Sequence, residues 1–416
     1  MHAHMKKPIS AAKLALALIG LLFFSACAPT PPRFGNFGGP VAPERQAPVA
    51  GEDVCAVAQP EAICWTPVQA RFHPDGQHMV VNLCSNRRGA IYYCRMVEYR
   101  MGDQRWRLIP GQEAGKSYQY PSYSHDGKTL VFGVAQCEQP DCKGNSGFGQ
   151  LATMAVQATA GQPTVYGAVK ALPVPGVSRP NFSPDDQQIV YWRDQYKSKS
   201  RLASGRGIGS ISVFGYRPAT DEETHLIPGM NTDKLRTRFI NALSGPLFTP
   251  DGGTIRFTAQ NDPLGGSESA AKRGMSDVDY HLPSGTTISR YWHRVAEGLG
   301  RVYAEHPTRG VLAGAGNLRL VDPLPPHATR AVFFSPEPSQ VADADIDRAG
   351  VWVVGLSGIQ SMDSGRQSAE RSYWRMTEDP KDLRKKVPAA PVFALVRIDT
   401  KQVQAVQWPN LESLRP

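Results

Sequence analysis

The sequence lacks the short patterns that mark several common enzyme and metal sites. It has no Gly-x-Ser-x-Gly elbow, which disfavours a serine hydrolase domain, and no HExxH zinc helix. No CxxC pair occurs, so its cysteines do not have the spacing of a zinc site. Long helices are also disfavoured, because 39 Gly and 35 Pro interrupt helix interiors.

The remaining composition is that of a globular protein. The chain has 416 residues, 41% of them hydrophobic and 20% charged. This length buries a sizeable core in one large domain or two ordinary ones. The abundance of glycine and proline predicts many turns.

The N-terminal residues have the pattern of an export signal. Three lysines precede an apolar run from Leu14 to Phe24, which is too short to span a bilayer but typical of a signal h-region. The string Phe24-Ser25-Ala26-Cys27 resembles a bacterial lipobox, although Phe24 stands where Leu is usual. We therefore expect a signal at 1–26 and lipidation of Cys27; an ordinary secretory signal or an uncleaved anchor is the alternative.

The residues after Cys27 predict a tether and then the folded domain. Up to about residue 50 the sequence is rich in Pro and Gly without apolar periodicity, so it cannot bury enough surface to fold. We expect a tether at 27–50 and one domain at 51–416. Under the lipobox resemblance, Ala28 favours sorting to the outer membrane, facing the periplasm.

Six further cysteines fit an exported chain. An even number predicts disulfides, although six cysteines allow 15 connectivities. Pairing of sequence neighbours is the simplest arrangement, each bridge closing a short loop or hairpin. The candidates are Cys55 with Cys64, Cys84 with Cys94, and Cys137 with Cys142.

One string recurs four times between residues 69 and 260. Each copy has an aromatic residue, a Ser, Thr or His, then Asp with Gly or a second Asp, and then a strand-like apolar alternation. Asp-Gly supplies the positive dihedrals of a tight turn, so each copy predicts a β-hairpin. The motif residues are Asp75, Gly76, Asp126, Gly127, Asp185, Asp251 and Gly252.

These turns resemble the Ser-Pro-Asp-Gly turn of TolB-type propeller proteins. The match is best in Phe182-Ser183-Pro184-Asp185 and Phe248-Thr249-Pro250-Asp251-Gly252. The resemblance implies an all-β propeller, with six blades expected and five or seven as alternatives. Further blades are predicted at 291–334 and from 344 to the C-terminus, and the cysteine-rich segment before the first repeat is expected to add a strand that closes the ring.

Three insertions interrupt the propeller pattern, at 194–209, 261–280 and 358–387, the last expected to be partly helical. Long loops on a rigid scaffold commonly carry binding sites. Basic residues cluster in two of them, and they predict either solvated loops or contacts with an anionic partner. These are Lys197, Lys199, Arg201, Arg206, Arg384, Lys385 and Lys386.

Other candidate sites have simpler structural explanations. The motif aspartates are expected to stabilise their own turns. Asp343, Asp345 and Asp347 alternate as in a calcium loop, but the glycine is misplaced and Val354 stands where a Glu is needed. His73 and His125 occupy repeat positions and are expected to be structural. No metal or other cofactor is predicted.

Three functions fit this sequence. The first is a non-catalytic scaffold that docks envelope proteins in a Tol-Pal-like, secretion or conjugation assembly. The second is a propeller that binds a glycan or peptide in its channel, and the third is a propeller hydrolase or lyase. Nucleic acid is not an expected partner, because the basic runs lack interleaved aromatic residues.

Overall fold

The computed structural model describes 16 parts of the chain, all within one compact unit, Arg45–Pro416. These are residues 65–85, 93–136, 149–159, 162–194, 211–228, 230–231, 237–263, 274–290, 301–314, 317–322, 328–334, 341–357, 374–376, 386–388, 392–409 and 411. Within these ranges the regular structure is β-strand, without an α-helix. Among the same residues no helix long and apolar enough to cross a membrane is found.

Six antiparallel sheets follow one another along the chain, and we call them blades 1 to 6. Blade 1 contains β1 (Trp65–Phe72), β2 (His78–Ser85), β3 (Cys94–Arg100) and β4 (Arg105–Leu108). Blade 2 contains β5 (Lys116–Tyr123), β6 (Thr129–Gln136), β7 (Gln150–Gln157), β8 (Val165–Tyr166) and β9 (Lys170–Ala171). Blade 3 contains β10 (Val177–Phe182), β11 (Ile189–Asp194), β12 (Ile211–Arg217) and β13 (Glu222–Ile227).

The second half of the chain forms the other three blades. Blade 4 contains β14 (Met230–Asn231), β15 (Thr237–Ala242), β16 (Leu247–Phe248), β17 (Thr254–Pro263), β18 (Gly274–His281) and β19 (Thr286–Arg290). Blade 5 contains β20 (Arg301–His306), β21 (Gly310–Gly314), β22 (Asn317–Val321) and β23 (Thr329–Phe334). Blade 6 contains β24 (Val341–Ile346), β25 (Trp352–Ser357), β28 (Val392–Arg397) and β29 (Val403–Ala405), with the hairpin β26 (Trp374–Met376) and β27 (Lys386–Pro388) between β25 and β28.

The architecture is the six-bladed β-propeller that the sequence predicted, including the two blades beyond the repeated string. The expectation of partial helix at 358–387 was wrong for the residues that are described there, because they form the hairpin β26–β27. Its short strands pair Trp374 with Pro388 and Met376 with Lys386.

Central strands read as continuous apolar runs because each is buried on both faces. On β11, Val190 and Trp192 pack between blades 3 and 4, against Phe257. The alternate residues Ile189 and Tyr191 pack between blades 2 and 3. A strand with a neighbouring blade on each side therefore needs apolar side chains in both directions.

The ring closes by packing between its first and last blades. One cluster joins Trp65 and Phe72 of β1 to Leu356 and Phe393 of blade 6, and Leu411 near the C-terminus is buried in it. The indole Nε1 of Trp408 also donates to the carbonyl of Trp65 at 2.9 Å. Each of these two blades takes its four strands from one stretch of chain, and the segment expected to add a closing strand lies outside the described residues.

The innermost strand of every blade contains a break in its register. The pairing shifts between Gln119 and Ser122 in blade 2 and between Ser178 and Asn181 in blade 3, with shifts at matching places in the other blades. Tyr120 and Arg179 adopt positive φ there, at 55° and 53°. Such bulges redirect side chains, so these two residues project differently from the rest of their strands.

Candidate functional site: the channel wall and the two ends of the propeller

The turns between the first and second strands of the blades lie together at one end of the ring, which we call the turn end. In blade 3 the Ser183 N–H donates to the Gln188 carbonyl at 2.8 Å, and the Asp186 N–H donates to the Ser183 carbonyl at 2.9 Å. The same pair of hydrogen bonds recurs in blades 1, 2, 4 and 6. The sequence motif therefore marks a single repeated turn.

The motif aspartates stabilise these turns from within. In blade 3 the Ser183 hydroxyl donates to Asp185 Oδ1 at 2.6 Å, and the Gln187 N–H donates to the same oxygen at 3.1 Å. These two hydrogen bonds lower the pKa of Asp185, and the one from Ser183 has the larger effect. Asp126 and Asp251 make the equivalent contacts, while Gly76, Gly127 and Gly252 supply the positive φ that the turn requires.

Two histidines tie neighbouring turns together. His73 in blade 1 donates its Nε2–H to the Gly127 carbonyl in blade 2 at 2.9 Å. His306 in blade 5 makes the same bond to the Arg348 carbonyl in blade 6, also at 2.9 Å. In both residues Nδ1 accepts a backbone N–H two residues further on, at 3.2 Å. These hydrogen bonds connect the turn of blade 1 to that of blade 2 and the turn of blade 5 to that of blade 6. At His73 the same Nδ1 also lies within hydrogen-bond distance of the Asp75 carboxylate.

Further contacts link turns around the channel mouth. The Asp186 carboxylate of blade 3 accepts the backbone N–H groups of His125 and Asp126 in blade 2, at 2.7 and 2.9 Å. Arg348 of blade 6 donates to the His125 carbonyl at 2.8 Å, so it reaches past blade 1. The turn end is therefore held by hydrogen bonds between blades.

Blade 1 has an additional feature at its turn. Asp75 Oδ1 lies 3.1 Å from His73 Nδ1, and Asp75 Oδ2 lies 2.6 Å from His78 Nδ1. Burial alone would raise the pKa of Asp75, but hydrogen bonds from the two histidines and from the Gln77 N–H lower it well below its usual range. This is the one group of three metal-ligating side chains found among the described residues.

The opposite end of the ring, which we call the loop end, receives the longer connections. Every second strand runs away from the turn end, so each connection from a second to a third strand starts and finishes at the loop end. Most of these segments lie outside the described residues, whereas the strand residues that they leave from are described. They leave the second strands at Ser85, Gln136, Asp194, Pro263, Gly314 and Ser357.

The basic residues predicted to bind a partner belong to these connections. Lys197, Lys199, Arg201 and Arg206 follow β11, and Arg384 and Lys385 lie between β25 and β28, all outside the described residues. Lys386 is the first residue of β27. The described neighbour Arg193, at the edge of this end, pairs with Glu223 at 2.5 Å.

One predicted disulfide is also at the loop end. Cys84 and Cys94 are directly opposite on β2 and β3 and are joined by a disulfide. The bond closes the base of the connection that leaves blade 1. Cys27 and the other four candidates, Cys55, Cys64, Cys137 and Cys142, lie outside the described residues.

The channel wall carries an ion pair where blade 6 meets blade 1. Asp343 Oδ2 accepts Arg71 Nη1 at 2.6 Å, and Asp343 Oδ1 accepts Arg71 Nη2 at 3.1 Å. The same carboxylate accepts the Ala70 N–H at 3.1 Å, and Asp345 accepts the Phe72 N–H at 2.9 Å. These aspartates therefore satisfy the inner edge of β1, which has no further strand to pair with.

Burial changes the acidity of this cluster. It raises the pKa of Asp345 to about 6, and the nearby Arg71 guanidinium opposes the change. The third residue of the alternating series, Asp347, instead accepts the Val351 and Trp352 N–H groups at 2.7 Å each. The three carboxylates thus have separate protein partners.

The bulges place an aromatic and cationic belt inside the ring. The Arg179 guanidinium lies 4.8 Å from the ring centre of Tyr120, and Tyr303 donates its hydroxyl to the Val341 carbonyl at 2.7 Å. All three side chains are buried. The belt therefore occupies the interior of the ring at the level of the bulges.

A second buried charge cluster joins blades 4 and 5. Arg256 donates to Asp279 at 2.9 Å and to Glu305 at 2.6 Å, and all three side chains are less than a tenth exposed. Burial raises the pKa of Glu305, and Arg256 opposes this rise. The cluster pairs one cation with two carboxylates away from solvent.

The sequence did not predict that the channel residues pair with one another. Arg71 and Asp343 are 272 residues apart, and no local pattern connects them. The sequence nevertheless contains a pattern that marks the position of the belt. A proline precedes the motif aspartate by the same spacing in three blades, at Pro121, Pro180 and Pro246. In blades 2 and 3 the residue before that proline is the one with positive φ.

Comparison with known proteins supplies structures of low similarity. No protein-family model and no curated protein matches this chain. A prolyl endopeptidase structure has 12% identity and a TM-score of 0.40, covering 83% of this chain and 43% of its own. An oligogalacturonate lyase from Vibrio parahaemolyticus has 12% identity and a TM-score of 0.41, covering 84% of this chain and 80% of its own.

A third structure, named as a TolB from Agrobacterium tumefaciens, has 14% identity and a TM-score of 0.34. It covers 82% of this chain and 81% of its own. This chain spans less than half the length of the prolyl endopeptidase but about four fifths of the other two. At these identities the likeness concerns the propeller fold and carries no activity to this chain.

Proposed function

We propose that the protein is a non-catalytic interaction scaffold. In this proposal the chain is anchored to the outer membrane through a lipid on Cys27 and faces the periplasm. Its propeller docks partner proteins of a cell-envelope assembly, of the Tol-Pal-like, secretion or conjugation kind. The bound partner, and not a reaction, is the output of the fold.

The observation that carries this proposal is the difference between the two ends of the ring. At the turn end, the repeated turns between first and second strands are tight, and several are hydrogen-bonded to a neighbouring blade, as His73 is to Gly127. At the loop end, the connections between second and third strands attach, including the long ones after Asp194 and Ser357. Rigid scaffolds commonly present their binding residues on such long connections.

The charge of these connections indicates the chemistry of the partner. The six segments between second and third strands contain 16 Lys and Arg but 8 Asp and Glu. The twelve connections at the turn end contain 4 Lys and Arg against 10 Asp and Glu. These basic connections at the loop end favour an anionic partner surface, because opposite charges steer association and disfavour wrong partners.

The channel wall supports a scaffold over a channel ligand or an enzyme. Two carboxylates of this wall are used by the fold itself, since Asp343 binds Arg71 and Asp345 accepts the Phe72 N–H. Arg179 likewise packs on Tyr120 within the buried belt. Catalytic groups need an accessible site around a reacting atom, and these groups are occupied by one another.

In-cell crosslinking tests the proposal. The protein, tagged at its C-terminus, is purified from gently solubilised membranes after crosslinking, with the Cys27→Ala variant as a matched control. The scaffold proposal predicts a stoichiometric set of envelope proteins that is lost or reduced in the unanchored variant. Recovery of the protein alone in both preparations contradicts it.

A further inference from the structure

Three side chains with metal-ligating atoms converge at the turn of blade 1. They are His73, Asp75 and His78, and their ligand atoms all lie within 4.8 Å of one another. His73 directly follows β1, Asp75 lies in the turn, and His78 is the first residue of β2. One short turn therefore supplies the whole group.

The ring of His73 turns its Nδ1 toward the group. Its Nε2–H donates to the Gly127 carbonyl at 2.9 Å, which leaves Nδ1 as the atom available to a metal ion. That Nδ1 lies 3.1 Å from Asp75 Oδ1, within hydrogen-bond distance, and the Asp75 N–H lies 3.2 Å from the same nitrogen. A metal ion bound to Nδ1 and Oδ1 would take the place of the proton that lies between these two atoms. A carbonyl bonded to the far nitrogen is the usual support of a metal-bound histidine.

His78 provides a second and independent observation. Its side chain is 1% exposed, and its Nδ1 lies 2.6 Å from Asp75 Oδ2. Its Nε2 is buried without a hydrogen-bond partner. Nδ1, which faces Asp75, is therefore the nitrogen that a metal ion would take. Burying a polar imidazole is costly, and the turn does not require it.

Other turns of the same ring show what the fold alone requires. Blade 5 repeats the histidine link through His306, but it has Thr308 at the position of Asp75. Blades 2, 3 and 4 have a hydroxyl in place of the first histidine, and Thr129, Gln188 and Thr254 in place of His78. The combination of two histidines and an aspartate thus exceeds the structural need of the turn.

We propose that His73, Asp75 and His78 bind a divalent transition metal ion, of the Zn²⁺ or Co²⁺ class. Two imidazoles and one carboxylate are the ligands that such ions prefer. Tetrahedral bonds of about 2.1 Å place ligand atoms about 3.4 Å apart, so the observed 2.6 and 3.1 Å contacts need only small outward shifts. Asp75 is 25% exposed, which leaves the ion a coordination position open to water.

Cobalt titration of the full, oxidised chain tests this site. The Asp75→Asn variant keeps an oxygen that accepts the Gln77 N–H but loses the carboxylate. The proposal predicts that the wild type binds one more Co²⁺ than Asp75→Asn, with visible absorption that Zn²⁺ displaces. The His306→Gln variant, which breaks the matching link in blade 5, should keep this site.

A second variant distinguishes the loss of the metal ion from misfolding of the chain. His78→Gln should weaken Co²⁺ binding at least tenfold while far-UV circular dichroism keeps the β-sheet signal. Equal cobalt stoichiometry, affinity and absorption in the wild type, Asp75→Asn and His78→Gln would overturn the proposal. The same holds if His306→Gln loses the ion as Asp75→Asn does, because a general loosening of the turns would then explain the result.

Discussion

The Arg71 guanidinium makes a two-point hydrogen bond with the Asp343 carboxylate and thereby joins the first blade to the last. Both side chains are largely buried, with exposures of 12% and 4%. Asp343 also accepts the Ala70 N–H at the inner edge of β1. One carboxylate thus neutralises a buried cation and satisfies an unpaired strand edge, at the place where the ring must close.

Breaking this pair should weaken the whole propeller. Arg71→Met leaves Asp343 buried without its cation, so the free energy of unfolding should fall by about 3–5 kcal/mol. The double variant Arg71→Met with Asp343→Asn should lose less free energy of unfolding than the sum of the two single variants. The reason is that the double variant leaves no charge of this pair buried without its partner. Urea denaturation measures all three, and a loss below about 1 kcal/mol for Arg71→Met contradicts the assignment.

Stability should depend on pH through Asp345. Its folded pKa of about 6 lies above the ordinary Asp value, so at intermediate pH the folded chain holds more of this proton than the unfolded chain. The contribution of Asp345 to the free energy of unfolding therefore falls as the pH rises from about 4 to 6. The wild type should lose up to about 3 kcal/mol relative to Asp345→Asn across this window.

Asp185 supplies a control of opposite sign. Hydrogen bonds from Ser183 and the Gln187 N–H lower its pKa, so its contribution is present above the ordinary Asp pKa and is lost as the pH falls. The wild type should therefore lose stability relative to Asp185→Asn only on acidification. Parallel pH profiles for the two variants, from urea denaturation, would refute the assignment for Asp345.

The Cys84–Cys94 disulfide should add stability by closing a short loop. The two residues are separated by 10 positions, for which loop closure contributes about 3 kcal/mol. The double variant Cys84→Ser with Cys94→Ser should lower the free energy of unfolding by about 2–4 kcal/mol under oxidising conditions. An unchanged urea midpoint would show that the bond does not constrain the unfolded chain.

The C-terminal residues should be part of the ring closure. Leu411 is 3% exposed in the cluster between blades 1 and 6, so Leu411→Ala should cost about 2–4 kcal/mol in urea denaturation. Val165, at 60% exposed, offers a control, and Val165→Ala should cost less than about 0.5 kcal/mol. Similar small losses for both variants would place Leu411 outside the closing cluster.

The repeated turn made most of the fold predictable. Asp75, Asp126, Asp185 and Asp251 mark blades because each aspartate stabilises a turn within a few residues, and local chemistry is visible in sequence. Blade 5 was predicted from its strands alone. Its turn, His306 to Gly310, has Thr308 in place of the aspartate and is shorter.

Contacts between blades were not predictable in the same way. His73 has a sequence position typical of the motif, yet its partner is a backbone carbonyl 54 residues away. The alternating spacing of Asp343 and Asp345 resembles a calcium loop, because only neighbouring residues are visible in a sequence pattern. In the structure their partners are backbone N–H groups of β1. Such pairings depend on which strands the closed ring brings together, and that information is not local.

The scaffold proposal depends most on the binding of an anionic partner at the loop end. Its most direct test replaces Lys197, Lys199, Arg201 and Arg206 with serine and measures the partners recovered after crosslinking. A matched variant replaces four exposed cations on described strands and turns, Arg105, Lys128, Lys170 and Arg217. We expect the loop-end variant to lose its partners, the wild type to bind them in a salt-sensitive way, and the matched variant to keep them. Equal recovery of partners with both variants would contradict the scaffold proposal.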